Sequence, residues 1–257
     1  MYNELVAEWT FDNISGVVMN IAIPVGTIIL DDQRGVSNGT VYASDKIYLK
    51  EGSDCVVREC IYLNGTTGTI DIPNNSVLQP IFGSENFTLE TWAKPERWYN
   101  YEGLINKRNS GYHSASSGGL FVDASGIRFV IGNGTEDGSS NIAIISKPSL
   151  NEWYHIVGTV GIINGSKRMQ MYINGNLVSE KSLSYDPSPN VDNLCIGGFY
   201  QGVRGFKGYM DEVRIYNSLL TQSQIQNSYI AGLNSLLVNG SISNEEYNQR
   251  ISNIANY

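Results

Sequence analysis

The side chain with the most to explain is Asp211. It lies in the run Gly205 to Tyr216, Gly-Phe-Lys-Gly-Tyr-Met-Asp-Glu-Val-Arg-Ile-Tyr. Tyr209, Asp211, Val213 and Ile215 alternate with Met210, Glu212, Arg214 and Tyr216, which is the period of a strand. Strict alternation places Asp211 on the same face as Val213 and Ile215. A carboxylate on an apolar face is costly unless something compensates it. A metal ion would do so, and so would a set of backbone N–H groups.

The second group is the aromatic run Trp98-Tyr-Asn-Tyr101, flanked by Arg97 and Glu102. It falls between two predicted strands and therefore on a loop. Trp and Tyr rings on a loop tip offer apolar faces to the C–H bonds of a sugar. The neighbouring Asn, Glu and Arg can hydrogen-bond its hydroxyls. Tyr112 and His113 stand in a second loop, rich in Gly and Ser, and Phe199-Tyr200 in a third. If these loops crowd one rim they form a ligand site: Trp98, Tyr99, Tyr101, Tyr112, His113 and Tyr200. The alternative is that Trp98 plugs the core. Scattered exposed aromatics carry no such meaning.

His155 alternates with Trp153 and Val157 in a strand, which predicts a core or subsurface hydrogen-bonding role. Glycosidase chemistry needs two carboxylates about 5–9.5 Å apart across the scissile bond. Glu90 stands alone in its predicted strand, and Glu136-Asp137 lies in a Gly/Ser turn. The expectation is a protein that is not an enzyme.

These residues sit in a chain of 257 residues with a net charge of −8 and 41 % hydrophobic content. That is enough for one large β domain. The absence of any basic run excludes a nucleic-acid-binding role. No window is apolar enough to span a bilayer. No signal peptide is visible, and the immediate start of domain sequence after Met1 suggests a piece cut from a longer precursor. Cys55 and Cys60 can pair if the segment turns back on itself, whereas Cys195 reads as a buried free thiol. Eight Asn-x-Ser/Thr sequons would suit a glycosylated surface protein, but five are Asn-Gly-Ser/Thr, which turns demand anyway.

The elements that must position the site follow a recognisable order. Leu5 to Phe11 alternates as a strand and ends in Trp9-Thr-Phe-Asp12. Phe87-Thr-Leu-Glu-Thr-Trp-Ala-Lys-Pro95, Gly103-Leu-Ile-Asn-Lys107, Trp153-Tyr-His-Ile-Val157, the Asn174-Gly175 hairpin and the closing Gly208 to Tyr216 come in sequence. As a set they resemble the LamG-like branch of the concanavalin A-like lectin/glucanase superfamily, from about Trp9 to Gly232. The resemblance implies a jelly-roll β-sandwich of two antiparallel sheets over residues 1–232, with 14–60 an insertion that contains an Asn38-Gly39 turn. It also implies a structural calcium, with Asp211 and Asp12 as the candidate ligands. The Glu-x-Asp-x-x-Glu pattern of the laminarinase-type members is absent here.

After the roll, Thr221-Gln-Ser-Gln224 reads as a capping box opening a helix. Ile225, Tyr229, Leu233, Leu236 and Leu237 share one face of it. Asn239-Gly240 stops it, and Ser243-Asn-Glu-Glu246 starts another with Tyr247, Ile251 and Ile254 on one side. Residues 233–257 resemble the small helical SHOCT-type motif. They are expected either to pack on the sheet or to self-associate. The combined expectation is a non-catalytic module binding carbohydrate, or adhesive, outside the cell or on its surface. The alternative is a structural or protein-binding module, such as the head of a pilin-like or envelope protein.

Overall fold

The computed structural model describes residues 5–12, 14, 28–29, 37–42, 46–99, 101–107, 118–132, 142–184, 186–189, 191–199 and 204–255. The strands are β1 (Leu5–Trp9), β2 (Ile28–Ile29), β3 (Gly39–Tyr42), β4 (Ile47–Glu51), β5 (Glu59–Asn64), β6 (Thr69–Ile72), β7 (Phe87–Pro95), β8 (Glu102–Lys107), β9 (Gly118–Asp123), β10 (Gly126–Ile131), β11 (Ile142–Ser146), β12 (Tyr154–Ile163), β13 (Ser166–Ile173), β14 (Asn176–Ser182), β15 (Leu194–Ile196) and β16 (Lys207–Tyr216). The helices are α1 (Leu78–Ile81), α2 (Gln222–Val238) and α3 (Asn244–Ala255).

Two antiparallel sheets face each other, as the alternating strands predict. The first runs β14-β13-β12-β7-β16-β5-β4, with β1 also paired to β16; the second runs β11-β10-β9-β8-β15-β6-β3-β2. Inward residues of alternate positions meet between them: Leu89, Ile156, Met171, Val213 and Ile215 from the first sheet, Ile70, Leu120, Val122, Phe129 and Ile196 from the second. Each such side chain contributes roughly 1.5–3 kcal/mol when fully buried. The Asn174-Gly175 turn forms as expected, with φ of 52° and 78°, the mirror-image turn that suits a hairpin's twist. The Asn38-Gly39 turn does not form. Gly39 instead opens β3, paired with Ile29, because β3 is already aligned antiparallel to β6 at Thr40 to Tyr42.

The helical pair forms a third layer on the outer face of the first sheet. Thr221 and Gln224 make the expected reciprocal capping box. Gly240 closes α2 with φ 80°, and the Ser243 hydroxyl accepts the Glu246 N–H at 3.1 Å to start α3. Tyr229, Leu233 and Leu236 are buried against Trp92, Trp153 and the Cys55–Cys60 loop. Those two cysteines are joined in a disulfide, and Cys195 is free and buried. The apolar α2 face on which self-association through the C-terminal hairpin was expected to rest is buried within the chain. Helix α2 also starts at Gln222 and passes position 232 without a break, so the tail joins the roll through one continuous helix.

The seam is tight at Gly232. A Cβ there would come 2.7 Å from Trp92 Cε2 and 2.9 Å from its Nε1. Trp92 cannot retreat, since its ring packs against His155 and Tyr229 at 5.2 and 5.6 Å. Alanine gains about 1 kcal/mol of helix propensity over glycine, but overpacking a filled core costs about 1–3 kcal/mol. Gly232→Ala is expected to lower the urea midpoint. A raised midpoint would mean that α2 can slide on the sheet.

Candidate functional site

Among the described residues three polar arrangements stand out, and the third lies at the surface.

The first surrounds Asp211. Strand β16 pairs β7 at Asp211↔Trp92 and Arg214↔Glu90, with the register shifting between them. One extra residue is accommodated at Glu212, whose φ is 51°. A bulge of this kind inverts the parity of the strand. Asp211 and Arg214 therefore face outward with Trp92 and Glu90, while Met210, Val213 and Ile215 face the core. The expectation that Asp211 shares a face with Val213 and Ile215 is corrected on that ground. Its Oδ2 accepts the N–H groups of Val56 at 3.0 Å and Val57 at 2.9 Å, and its Oδ1 accepts Glu212 N–H at 2.8 Å. Burial and the Glu212 carboxylate push the Asp211 carboxyl well up, and these N–H donors oppose the shift.

Asp12 accepts Glu59 N–H at 3.0 Å and so braces the start of β5. Calcium wants about six to eight oxygen ligands. Asp211 is ringed by N–H donors, so its surroundings do not fit that ion. Among the described residues no group of three or more His, Cys, Asp or Glu side chains is placed to hold a metal.

The second arrangement is buried beneath α2. Glu90 Oε1 lies 2.8 Å from His155 Nε2 and accepts the Ser228 hydroxyl; its Oε2 accepts the Tyr216 hydroxyl at 2.8 Å. Arg214 Nη1 stands 3.6 Å from the same carboxylate. Burial pushes the Glu90 carboxyl up, but His155, Arg214 and Ser228 outweigh it and hold it at about 2. His155 has the buried hydrogen-bonding role its strand position predicts. The cluster locks the third layer to the sheet, and both Glu90 and His155 are shut off from solvent.

The third lies on the outer face of the second sheet. Phe121 and Arg128 are opposite each other on β9 and β10, and both point away from the core that Leu120, Val122, Ile127 and Phe129 fill. Gly103 of β8 is aligned with Phe121. A Cβ on Gly103 would stand 2.9 Å from the Gly198 carbonyl carbon, so glycine lets the 197–199 segment close over the sheet. That brings Phe199 into a stack on Phe121 at 5.5 Å.

Tyr101, 37 % exposed, joins them. The guanidinium carbons of Arg128 and Arg204 lie 5.3 and 5.5 Å from its ring centroid, and Arg204 also lies 5.8 Å from that of Phe199. The Tyr101 backbone is at φ 48°, a conformation that costs a bulky residue about 1–3 kcal/mol and clusters at ligand sites. Asp123 pairs with Arg128 and accepts Ser125 N–H at 2.6 Å, which orients that guanidinium.

Of the residues nominated from sequence, Tyr101 is thus brought into an aromatic and cationic cluster. Tyr99 is 62 % exposed and lies over Arg97, 5.2 Å from ring centroid to guanidinium carbon. Arg97 itself is a structural tie, bonded to Glu102 Oε1 and to the Gly65 carbonyl, each at 2.6 Å. Trp98 is not an exposed loop tip. It is half-buried and packs against the main core. Tyr112, His113 and Tyr200 lie outside the described residues. Phe199, flagged with Tyr200 in the third loop, joins the cluster; Arg128, Arg204 and Phe121 carry no short-range mark in the sequence.

A two-sheet antiparallel jelly roll defines the class. The chain belongs to the concanavalin A-like lectin/glucanases superfamily, whose family model matches residues 64–226. No curated protein matches it. Among solved structures it is similar to domain 4 of AbnA, an extracellular GH43 arabinanase from Geobacillus stearothermophilus, in complex with arabinotriose, at 20 % identity and TM-score 0.59, covering 88 % of this chain and 98 % of that one. It is also similar to the binding domain of Paraclostridial Mosquitocidal Protein 1, at 18 % identity and TM-score 0.59, covering 85 % of this chain and 52 % of that one. A third is the botulinum neurotoxin serotype G binding domain, at 12 % identity and TM-score 0.60, covering 88 % and 50 %. The chain spans about half the length of those two toxin domains. At these identities the likeness shows the fold. Among the described residues no helix is long and apolar enough to cross a membrane.

Proposed function

We propose that this chain is a non-catalytic, extracellular carbohydrate-binding module. The observation that carries the reading is the Tyr101 ring, held at φ 48° and flanked by Arg128 and Arg204 over the Phe121–Phe199 stack. Two guanidinium groups lie over that partly exposed ring, so the cluster presents an aromatic edge with N–H donors next to it, and those donors would serve the hydroxyls of a pyranose or furanose. The similar solved structures, an arabinanase domain with arabinotriose and two toxin binding domains, support binding over catalysis. So does Glu90, a carboxylate closed off from substrate by its partners. The protein-binding alternative lost the apolar face on which it rested.

The test is a glycan array followed by titration calorimetry with the best ligand. Tyr101→Ala is expected to weaken binding about tenfold or more, the equivalent of about 1.4 kcal/mol or more. Trp98→Ala is expected to lower stability instead. Unchanged affinity in Tyr101→Ala would remove this face as the site.

A further inference from the structure

On the opposite side of the molecule, α3 and the end of the first sheet enclose a second hollow. It has a volume of about 740 Å³ and is lined by Asn151, Glu152, Trp153, Asn174, Gln249 and Asn253, among others. A neighbouring hollow of about 550 Å³ shares Asn174, Arg250 and Asn253 with it. The shared residues join the two into one groove. Each part is of the size that ligand sites occupy, about 300–1,000 Å³.

The lining selects a chemistry. Four carboxamides, Asn151, Asn174, Gln249 and Asn253, face the hollow. Asn151, Gln249 and Asn253 each carry both donors and an acceptor, which matches hydroxyls that do the same; Asn174 offers its N–H donors, since its Oδ1 accepts His155 N–H at 3.0 Å. The lining carries both signs of charge, Lys94 and Arg250 against Glu152, Glu245 and Glu246, so neither sign dominates. Arg250 pairs with Glu246 and donates to the Trp153 carbonyl at 3.0 Å. Glu152 accepts the Tyr154 hydroxyl at 3.0 Å. Lys94 sits 5.0 Å from the Tyr209 ring centroid. That leaves little to attract a strongly charged ligand. Trp153, also in the lining, is only 5 % exposed, so its indole serves as a fixed wall of the hollow.

We infer that this groove is a second binding site, for a linear neutral oligosaccharide. It is separate from the Tyr101 face and does not rest on it. Helix α3 supplies Gln249, Arg250 and Asn253, so the helical tail builds a wall of the site. Two sites on opposite faces would let one module bridge two stretches of polysaccharide, and multivalent engagement of that kind raises avidity by about 10²–10⁴.

The experiment uses the full chain, labelled with ¹⁵N, and a panel of arabinotriose, xylotetraose, cellotetraose and maltotetraose. The expected result is that at least one sugar moves the Trp153 indole resonance together with the Asn253 and Gln249 side-chain amides. The variant Gln249→Ala/Asn253→Ala is expected to weaken that sugar at least tenfold. Both side chains are exposed, so the variant should keep the wild-type melting temperature. Tyr101→Ala should leave the groove signals unchanged. The inference is overturned if no sugar moves those resonances, if the double variant binds as wild type does, or if the shifts gather only around Tyr101. The last outcome would leave the proposed function standing while removing the second site.

Discussion

Asp211→Ala is expected to destabilise the protein by about 3 kcal/mol or more, and by the same amount in calcium and in EDTA. The carboxylate is the acceptor for three backbone N–H groups, those of Val56, Val57 and Glu212. Leaving one buried donor unpaired costs about 1–3 kcal/mol. Val56 and Val57 belong to the loop closed by the Cys55–Cys60 disulfide, which also packs against Leu233 and Leu236. Releasing the loop therefore loosens the third layer as well. Asp211→Asn keeps the shape but turns an amide toward N–H donors, so it should also lose stability. Chemical denaturation in the two buffers checks the prediction. A loss confined to calcium would return a metal ion to this carboxylate.

Glu90→Ala is expected to cost about 3–5 kcal/mol, the range for breaking a buried ion pair by removing one partner. It leaves His155, Tyr216 and Ser228 without their common acceptor. The pH dependence gives a second reading of the same group. The folded carboxyl is held at about 2, below its ordinary 4.5. A depressed carboxyl stabilises the fold fully above about 4.5, and that contribution drains away as pH falls toward 2. Its full size is roughly 3 kcal/mol.

Glu212 acts in the other direction. Burial raises it to about 7, with Arg214 opposing and Glu8 adding to the rise. A raised carboxyl costs nothing below 4.5 and costs progressively more as pH climbs through 7. Stability should therefore peak in mildly acidic solution. Glu90→Gln should flatten the limb below pH 4.5, and Glu212→Gln the limb between 4.5 and 7. A wild-type curve that rises steadily to neutral pH would show that Glu212 is not raised as described, and one that stays flat below pH 4.5 would show that Glu90 is not depressed.

The reach of the sequence differed between strand and site for physical reasons. Strand order was legible because each strand carries its own alternation, and the motifs come in the order the roll requires. Asp211 was placed on the wrong face because parity counting assumes a regular strand. The bulge at Glu212 adds one residue, and one residue is enough to invert every side chain before it relative to those after. Trp98 and Tyr101 look alike in a loop; only the packed structure lays one half-buried against the core and leaves the other at the surface. Arg128 reaches Tyr101 through the pairing of β10 with β9, and Arg204 through a distant segment. Neither contact has a local signature. The same holds for Ser228, which meets Glu90 only because α2 docks on the sheet.

The position of β16 carries a kinetic consequence. One edge of it pairs β7; the other pairs β5 along Lys207–Met210 and β1 along Val213–Tyr216. Until this late strand inserts, the first sheet is two fragments with open edges at β5 and β7. Joining them means closing loops that reach back across most of the chain, and such non-local pairing is slow. The waiting fragments expose strand edges that invite pairing with another chain. Refolding yield should accordingly be governed by a race between strand insertion and encounter with neighbours, a race that dilution favours.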